Sequence, residues 1–407
     1  YVSHISEGIA SPGYNDYGPD WLDVQTNGFG NYSIINSDSE IITDWEQIFL
    51  SLIRMDIETV DQMLTESLEL YNYDIVEFTD SETERVYYML RERLDLSYID
   101  ENQPETQLDD VTGSFNNGWG LFIFNPEAAR QNLVIEVPHP CDDFIAPYMG
   151  VEIFNQTDAF ALMIAGAGRE VEWTESGDYS NNKSKSDPAR NSNTLFHIFH
   201  TVLSDSLLQL PPHSPLVLHV HSFDDNSSHE DFKSIVLSGG WDASYANKPI
   251  RDVADDHLDF VNFTTEYPVT ANQFGEHDAL HVTDYYQAHY SGLFYYYGET
   301  QNYPITHTYT LLGPNTGVQM NYLHQRVHSG SVYEPWVQVE LFEKPILFTE
   351  MEMPNEDLYP VMYPTSYHNY SILLDYFQPF VDAVQAYLVN WETVPDITPP
   401  DSVQNFQ

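Results

Sequence analysis

Residues able to bind a metal or move a proton gather where apolar runs end. The run LVIEV leads straight into PHPCDD, which places His139, Asp142 and Asp143 on one short segment. Further along, PLVLHVHSF carries His219 and His221. Alternate residues of a strand point the same way, so these two imidazoles share a face and His221 lies nearer the strand end. Two imidazoles and one carboxylate leave a coordination position open, which is the ligand set of a catalytic zinc site. The carboxylate can come from Asp142 or Asp143, and the expected occupant is one zinc ion.

Other residues complete a reaction centre. WVQVELFEKPILF sets Glu340 at the end of a late apolar strand, where a carboxylate can take a proton from an activated water and hand it to a leaving amine. Basic residues are scarce, 14 Lys+Arg in 407, so their positions are informative. FALMIAGAGRE places Arg169 just past a buried strand, and PARNSNT puts Arg190 and Asn191 before a helix start. An arginine beside a helix N-terminus is suited to gripping a substrate carboxylate. The pairs His277/His281 and His324/His328 have i,i+4 spacing without the glutamate of a zincin helix. HSFDDNSSHEDF is rich in oxygen ligands but lacks EF-hand spacing, so Ca²⁺ is a secondary candidate ion. No Gly-rich phosphate loop and no GxSxG elbow occurs.

The elements that must position these residues read as α/β. LVIEV, FALMIAG and PLVLHVHSF are short continuous apolar runs of the kind used by strands buried on both faces. Further strands are expected at GWGLFIFNP, TYTLL and WVQVEL. An amphipathic helix is expected over 194–208, capped by Asn193 or Thr194, with a closing helix over 371–391. Upstream, Thr43 and Glu46 form a capping-box pattern for a helix carrying Trp45, Ile48, Phe49, Leu52 and Ile53. A second helix is expected over 57–70, and a hairpin follows with Ile75 and Val76 facing Val86, Tyr87 and Leu90 across a polar turn. The expected organisation is an extended arm at 1–40, a helix-hairpin subdomain at 41–128, an α/β domain at 129–391 and a linker at 392–407. The tail VPDITPPDSVQNFQ resembles the start of a fibronectin-type-III-like module.

Charge bounds the partners. Lys+Arg 14 against Asp+Glu 63 leaves −49, which excludes a phosphate-tracking nucleic-acid binder and disfavours an anionic membrane surface. Such a field suits salty surroundings, where counterions screen self-repulsion. With one cysteine, Cys141, no intramolecular disulfide can form. No apolar run reaches the length of a membrane span. The hydrophobic fraction of 42% is enough to fill a large core.

Taken in order, PHPCDD, AGAGR, SDPARNSNTLFH, LHVHSF and VQVEL resemble the zinc-carboxypeptidase-like hydrolases, in particular exported bacterial members related to N-formylglutamate amidohydrolases and poly-γ-glutamate hydrolases. The resemblance spans about residues 43 to 354. It implies a mostly parallel mixed sheet flanked by helices, with an N-terminal α+β extension. It further implies a zinc held by His139, an acidic residue and His221, Glu340 as general base, and Arg169, or Arg190 with Asn191, on a substrate carboxylate. Asp142 stands where this family carries the glutamate of HxxE, whereas Asp143 fits an HPxxD form. Gly168 occupies a position where a second histidine is expected before the arginine. The expected activity is cleavage of an amide bond next to a free carboxylate in a small peptide or acyl-amino acid, by a protein at the cell surface or outside the cell. The alternative is a non-catalytic acidic binding or assembly module, with tyrosines such as Tyr295, Tyr296 and Tyr297 forming an aromatic surface. Convergence of His139, an aspartate, His221 and Glu340 in space discriminates the two.

Overall fold

The computed structural model describes residues 32–37, 40–67, 71–81, 83–93, 117–140, 143, 145–169, 185–208, 216–223, 235–238, 294–296, 317–319, 322–323, 336–342, 378, 380–382 and 384–385. Asp142, Cys141, the pairs His277/His281 and His324/His328, TYTLL, Tyr297, most of the arm and the C-terminal tail lie outside the described residues.

Two helices open the fold, α1 (Glu40–Ile53) and α2 (Ile57–Glu66). α1 starts one turn before Thr43, with the Glu40 carboxylate in its first turn, where it complements the exposed amides. It ends in a Schellman turn: Asp56 N–H donates to the Ser51 carbonyl and Met55 N–H to that of Leu52, with Met55 at φ 60°. Asp56 then caps α2 by accepting from the Thr59 amide. The expected hairpin forms from β1 (Tyr73–Thr79) and β2 (Val86–Glu92), paired antiparallel with Thr79 opposite Val86.

The remaining elements are β3 (Leu121–Phe124), β4 (Arg130–Val137), α3 (Ala146–Thr157), β5 (Ala159–Ile164), α4 (Leu195–Leu207), β6 (Leu216–Phe223), β7 (Ile235–Ser238), β8 (Phe294–Tyr296) and β9 (Trp336–Phe342). Residues 378, 380–382 and 384–385 are helical, within the expected closing helix. The strands join one sheet in the order β1-β2-β3-β5-β4-β6-β9-β7-β8. Its centre, β5-β4-β6-β9, is parallel, and β3 and β7 attach antiparallel on either side. The architecture is therefore a mixed α/β sheet, parallel in the middle. The strands of the 41–128 segment extend that same sheet.

The order of the central strands creates the site. From β4 the chain steps to β5 on one side, then crosses back to β6 on the other, so the strand order reverses between β4 and β6. At such a switch point the loops leaving the C-terminal ends diverge and open a crevice. The two crossover helices cover opposite faces. α3 lies so close to β4 and β5 that a side-chain carbon at Gly150 would meet Val137, Leu162 and Ile135. α4 packs on the other face with Val134, Met163 and Val217. Three rings lock α4 in place: Phe199 stands 4.6 Å from Phe49 of α1 and 5.1 Å from Phe122 of β3.

A second close approach holds the loop after β5. The buried Glu92 carboxylate accepts from the Asn117 and Gly118 amides, and Tyr73 Oη donates to the Gly120 carbonyl at 2.7 Å. The segment so pinned lies directly against AGAG. A side-chain carbon on Gly166 would sit 2.7 Å from the Gly118 carbonyl carbon and closer still to the Gly120 nitrogen. Gly120 itself has φ 115°. Gly166→Ala is expected to destabilise the fold by about 1–3 kcal/mol through overpacking, read as a lowered urea midpoint. An unchanged midpoint would show that the two backbones are not pressed together.

Candidate metal centre

Three side chains meet above the β4/β6 switch point. His139 lies two residues past β4, Asp143 follows in a tight turn closed by its amide donating to the His139 carbonyl at 2.9 Å, and His221 stands near the end of β6. One ligand atom from each of His139, Asp143 and His221 lies within 4.8 Å of the others, and all three residues are buried. Asp143 Oδ2 is 2.6 Å from His221 Nδ1 and 3.7 Å from His139 Nδ1. The two rings are 4.7 Å apart, edge to face. This group can bind a metal ion. Among the described residues its carboxylate is Asp143, one of the two sequence candidates; Asp142 lies outside them.

The far side of His139 is held as well. Asp187 Oδ1 lies 3.0 Å from His139 Nε2, so the proton faces Asp187 and Nδ1 is turned towards Asp143. Nδ1 has no hydrogen-bond partner among the described residues although it is buried. An outer carboxylate fixing the tautomer of a ligand imidazole is the usual support of a metal-binding histidine. Asp187 is itself fixed: its Oδ1 also accepts from the Ala189 amide at 3.0 Å, and its carbonyl accepts from the amides of Arg190 and Asn191. No local pattern singles out Asp187 among 63 acidic residues. Only the fold brings it back to His139.

Glu340 is the register partner of His221 on the neighbouring strand β9. It is buried, and Gln338 Nε2 donates to its Oε1 at 2.5 Å. Burial first, and then the Asp143 charge, raise its carboxyl well above the usual range, so in the metal-free chain it holds a proton. Gln338 is equally unmarked in the sequence, since a glutamine in an apolar strand carries no functional sign of its own.

The predicted carboxylate grip divides. Arg169, half-buried, ends the AGAG loop, near enough that its charge bears on His139, Asp187 and Glu340. Arg190 bears on Asp187. Asn191 is buried and works within its own loop: Nδ2 donates to the Lys185 carbonyl at 2.8 Å, and Oδ1 accepts from the Asn193 amide at 3.0 Å. Its amide is thus an organiser of the turn that delivers Asp187 and α4. Thr194 caps that helix by accepting from the His197 amide. His219 is not in the metal group. Its Nδ1 is 2.7 Å from Glu136 Oε2.

Comparison with protein-family models and with curated proteins found no match. No described helix is long and apolar enough to cross a membrane.

The site imposes a pH dependence on the fold. Burial, opposed but not overcome by neighbouring carboxylates, lowers the imidazoles of His219 and His221, the latter to about 3; burial and then the nearby His200 lower that of His197 to about 3. The unfolded chain binds protons at these histidines near pH 6.5, so stability falls as pH drops below that value. His139 behaves oppositely. Burial works against its charge, but Asp187 and Asp143 outweigh burial and raise it to about 10. It and Glu340 keep protons in the folded state that the unfolded chain releases, so their contribution is lost as pH rises. The metal-free protein is expected to show its highest urea midpoint near pH 6.5, measured in chelator across acid and alkaline buffers. A midpoint that climbs steadily to about pH 9 would contradict these protonation states.

Proposed function

We propose that the protein is a metal-dependent hydrolase that cleaves an amide bond next to a free carboxylate, with one zinc ion held by His139, Asp143 and His221. The observation that carries this reading is the buried convergence of these three side chains at the ends of adjacent parallel strands, with Glu340 on the next strand. Two imidazoles and a carboxylate, with a fourth position left to solvent or substrate, fit zinc in a catalytic role. Zinc in such a site supplies Lewis acidity to a carbonyl oxygen and acidifies water.

The chain's own residues do the rest. Asp187 keeps the His139 Nδ1 lone pair directed at the ligand position. Glu340 moves the proton from the attacking water to the leaving nitrogen. In the metal-free chain the charge of Asp143 helps to keep Glu340 protonated; once a cation offsets that charge, the carboxylate form needed for proton abstraction becomes accessible. Gln338 holds Glu340 in one orientation. Arg169 is the better placed of the two arginines to hold the substrate's carboxylate, because its charge already acts on Glu340 and His139.

The same arginine addresses the global field. A net charge of −49 repels an anionic substrate at long range, and high ambient salt would screen that repulsion to about 10 Å or less. Both points favour a protein that works outside the cell in a saline medium.

The test is elemental mass spectrometry of the purified protein beside a His221→Ala variant. About one equivalent of zinc in the parent protein, lost in the variant, is expected for a single three-residue site, together with hydrolysis in a screen of acyl-glutamate and γ-glutamyl substrates. A protein that takes up no transition metal, even after zinc addition, would sink the hydrolase reading and favour a binding module.

A further inference from the structure

Below the metal group lies a second carboxylate and imidazole constellation that the proposed reaction does not use. Glu136 of β4 is fully buried, and its register partner across the β4/β6 pair is His219. Each carboxylate oxygen has its own imidazole: Oε2 lies 2.7 Å from His219 Nδ1, and Oε1 lies 2.5 Å from His200 Nδ1 on α4. Burial raises the Glu136 carboxyl, but the two histidines outweigh it and bring it to about 2. The group is therefore an ionised carboxylate accepting from two N–H donors. The Nε2 atoms of both histidines are buried with no hydrogen-bond partner among the described residues.

A charge at this depth is costly, and packing alone gives no reason for it. The row beneath on the same sheet face is apolar, formed by Val134, Val217 and Trp336. Replacing a buried ionic group with apolar side chains of similar volume is often neutral or stabilising, so a carboxylate here earns its place by orientation. What it orients is His219. The His219 ring is wedged between Trp336, 5.1 Å away, and the ligand His221, 5.0 Å away. A free imidazole can turn about its side-chain torsions, whereas one tied through Nδ1 to a fixed oxygen cannot.

We propose that Glu136 is a positioning residue for the metal centre: by binding His219 Nδ1 it holds the His219 ring as a rigid wall against which the ligand His221 is set. The inference rests on the metal-centre reading. His200 partners the second Glu136 oxygen and, through α4, ties the wall to the aromatic cluster around Phe199. It does not touch His221 in this account, so its loss should weaken the fold without altering the metal site.

Three variants separate these roles, with Zn²⁺ and Co²⁺ as probes. Glu136→Gln keeps the shape but can accept from only one imidazole. It is expected to weaken Zn²⁺ binding about tenfold, the low end of the range for outer partners of metal ligands, and to shift the visible absorption of the Co²⁺ form. His219→Phe keeps a ring in place without the bond to Glu136 and should show a similar loss, which keeps the test open if Glu136→Gln does not fold. His200→Gln should lower the urea midpoint while leaving Zn²⁺ affinity and the Co²⁺ spectrum as in the parent. Parent-like Zn²⁺ affinity and Co²⁺ spectra in Glu136→Gln and His219→Phe would overturn the inference. So would losses of affinity that track loss of stability across all three variants. A parent protein that binds neither ion overturns the metal centre itself, a separate outcome.

Discussion

The Asp143 carboxylate, buried between His139 and His221, is the contact on which the rest depends. Two imidazoles and an acid cannot be buried together at random, because each brings a desolvation cost that only its neighbours can offset. Here the acid lies 2.6 Å from one ring nitrogen and 3.7 Å from another. The far nitrogen of His139 is met by Asp187. In the metal-free chain a proton on His139 supplies the positive charge between two carboxylates, at the position where a cation would serve the same purpose. Glu340, raised by burial and by Asp143, belongs to the same electrostatic unit.

The scaffold can be understood as what this unit requires. Strand order must reverse between β4 and β6 for His139 and His221 to face each other across a crevice, and β9 must lie next to β6 for Glu340 to join them. Antiparallel strands flank this parallel centre on either side. Their part is to hold it: β3 and the glycine-rich backbone before it press on the loop that ends at Arg169, and α1 with β3 clamps α4 through Phe49, Phe122 and Phe199. Below the site, Glu136 and Gln338 each hold one member of the upper layer or its neighbour. The Glu136 carboxylate persists at that depth because each of its oxygens has an imidazole partner.

Much of this was legible in the sequence, for physical reasons. Strands buried on both faces must be continuously apolar, so LVIEV, FALMIAG and LVLHV stood out, and residues just past such runs had to lie at a sheet edge. That logic singled out His139, Asp143 and His221, which the fold brings together, and set Glu340 and Arg169 at strand ends. It could not choose between Asp142 and Asp143, because two adjacent aspartates after His139 carry the same local pattern. Helix α3 was missed because Ala146 to Val151 are all buried, leaving no polar face to mark a helical period. α1 starts a turn before the Thr43 capping pattern; a threonine inside a helix and a threonine capping one have the same local pattern. Asn191, expected with Arg190 on a substrate carboxylate, has a side-chain amide that bonds to the Lys185 carbonyl and the Asn193 amide of its own loop. The lone charge within LVIEV and the histidine within LVLHV were visible oddities; that Glu136 and His219 sit side by side depends on strand register, which no local pattern encodes.

The most direct measurement is X-ray absorption at the zinc edge on the protein loaded with one equivalent of Zn²⁺, compared with His139→Ala. The account expects two imidazole nitrogens and a carboxylate oxygen at about 2.0–2.2 Å, with the imidazole scattering reduced in the variant. A shell made of water and carboxylate oxygens alone, or one unchanged by the loss of His139, would contradict it.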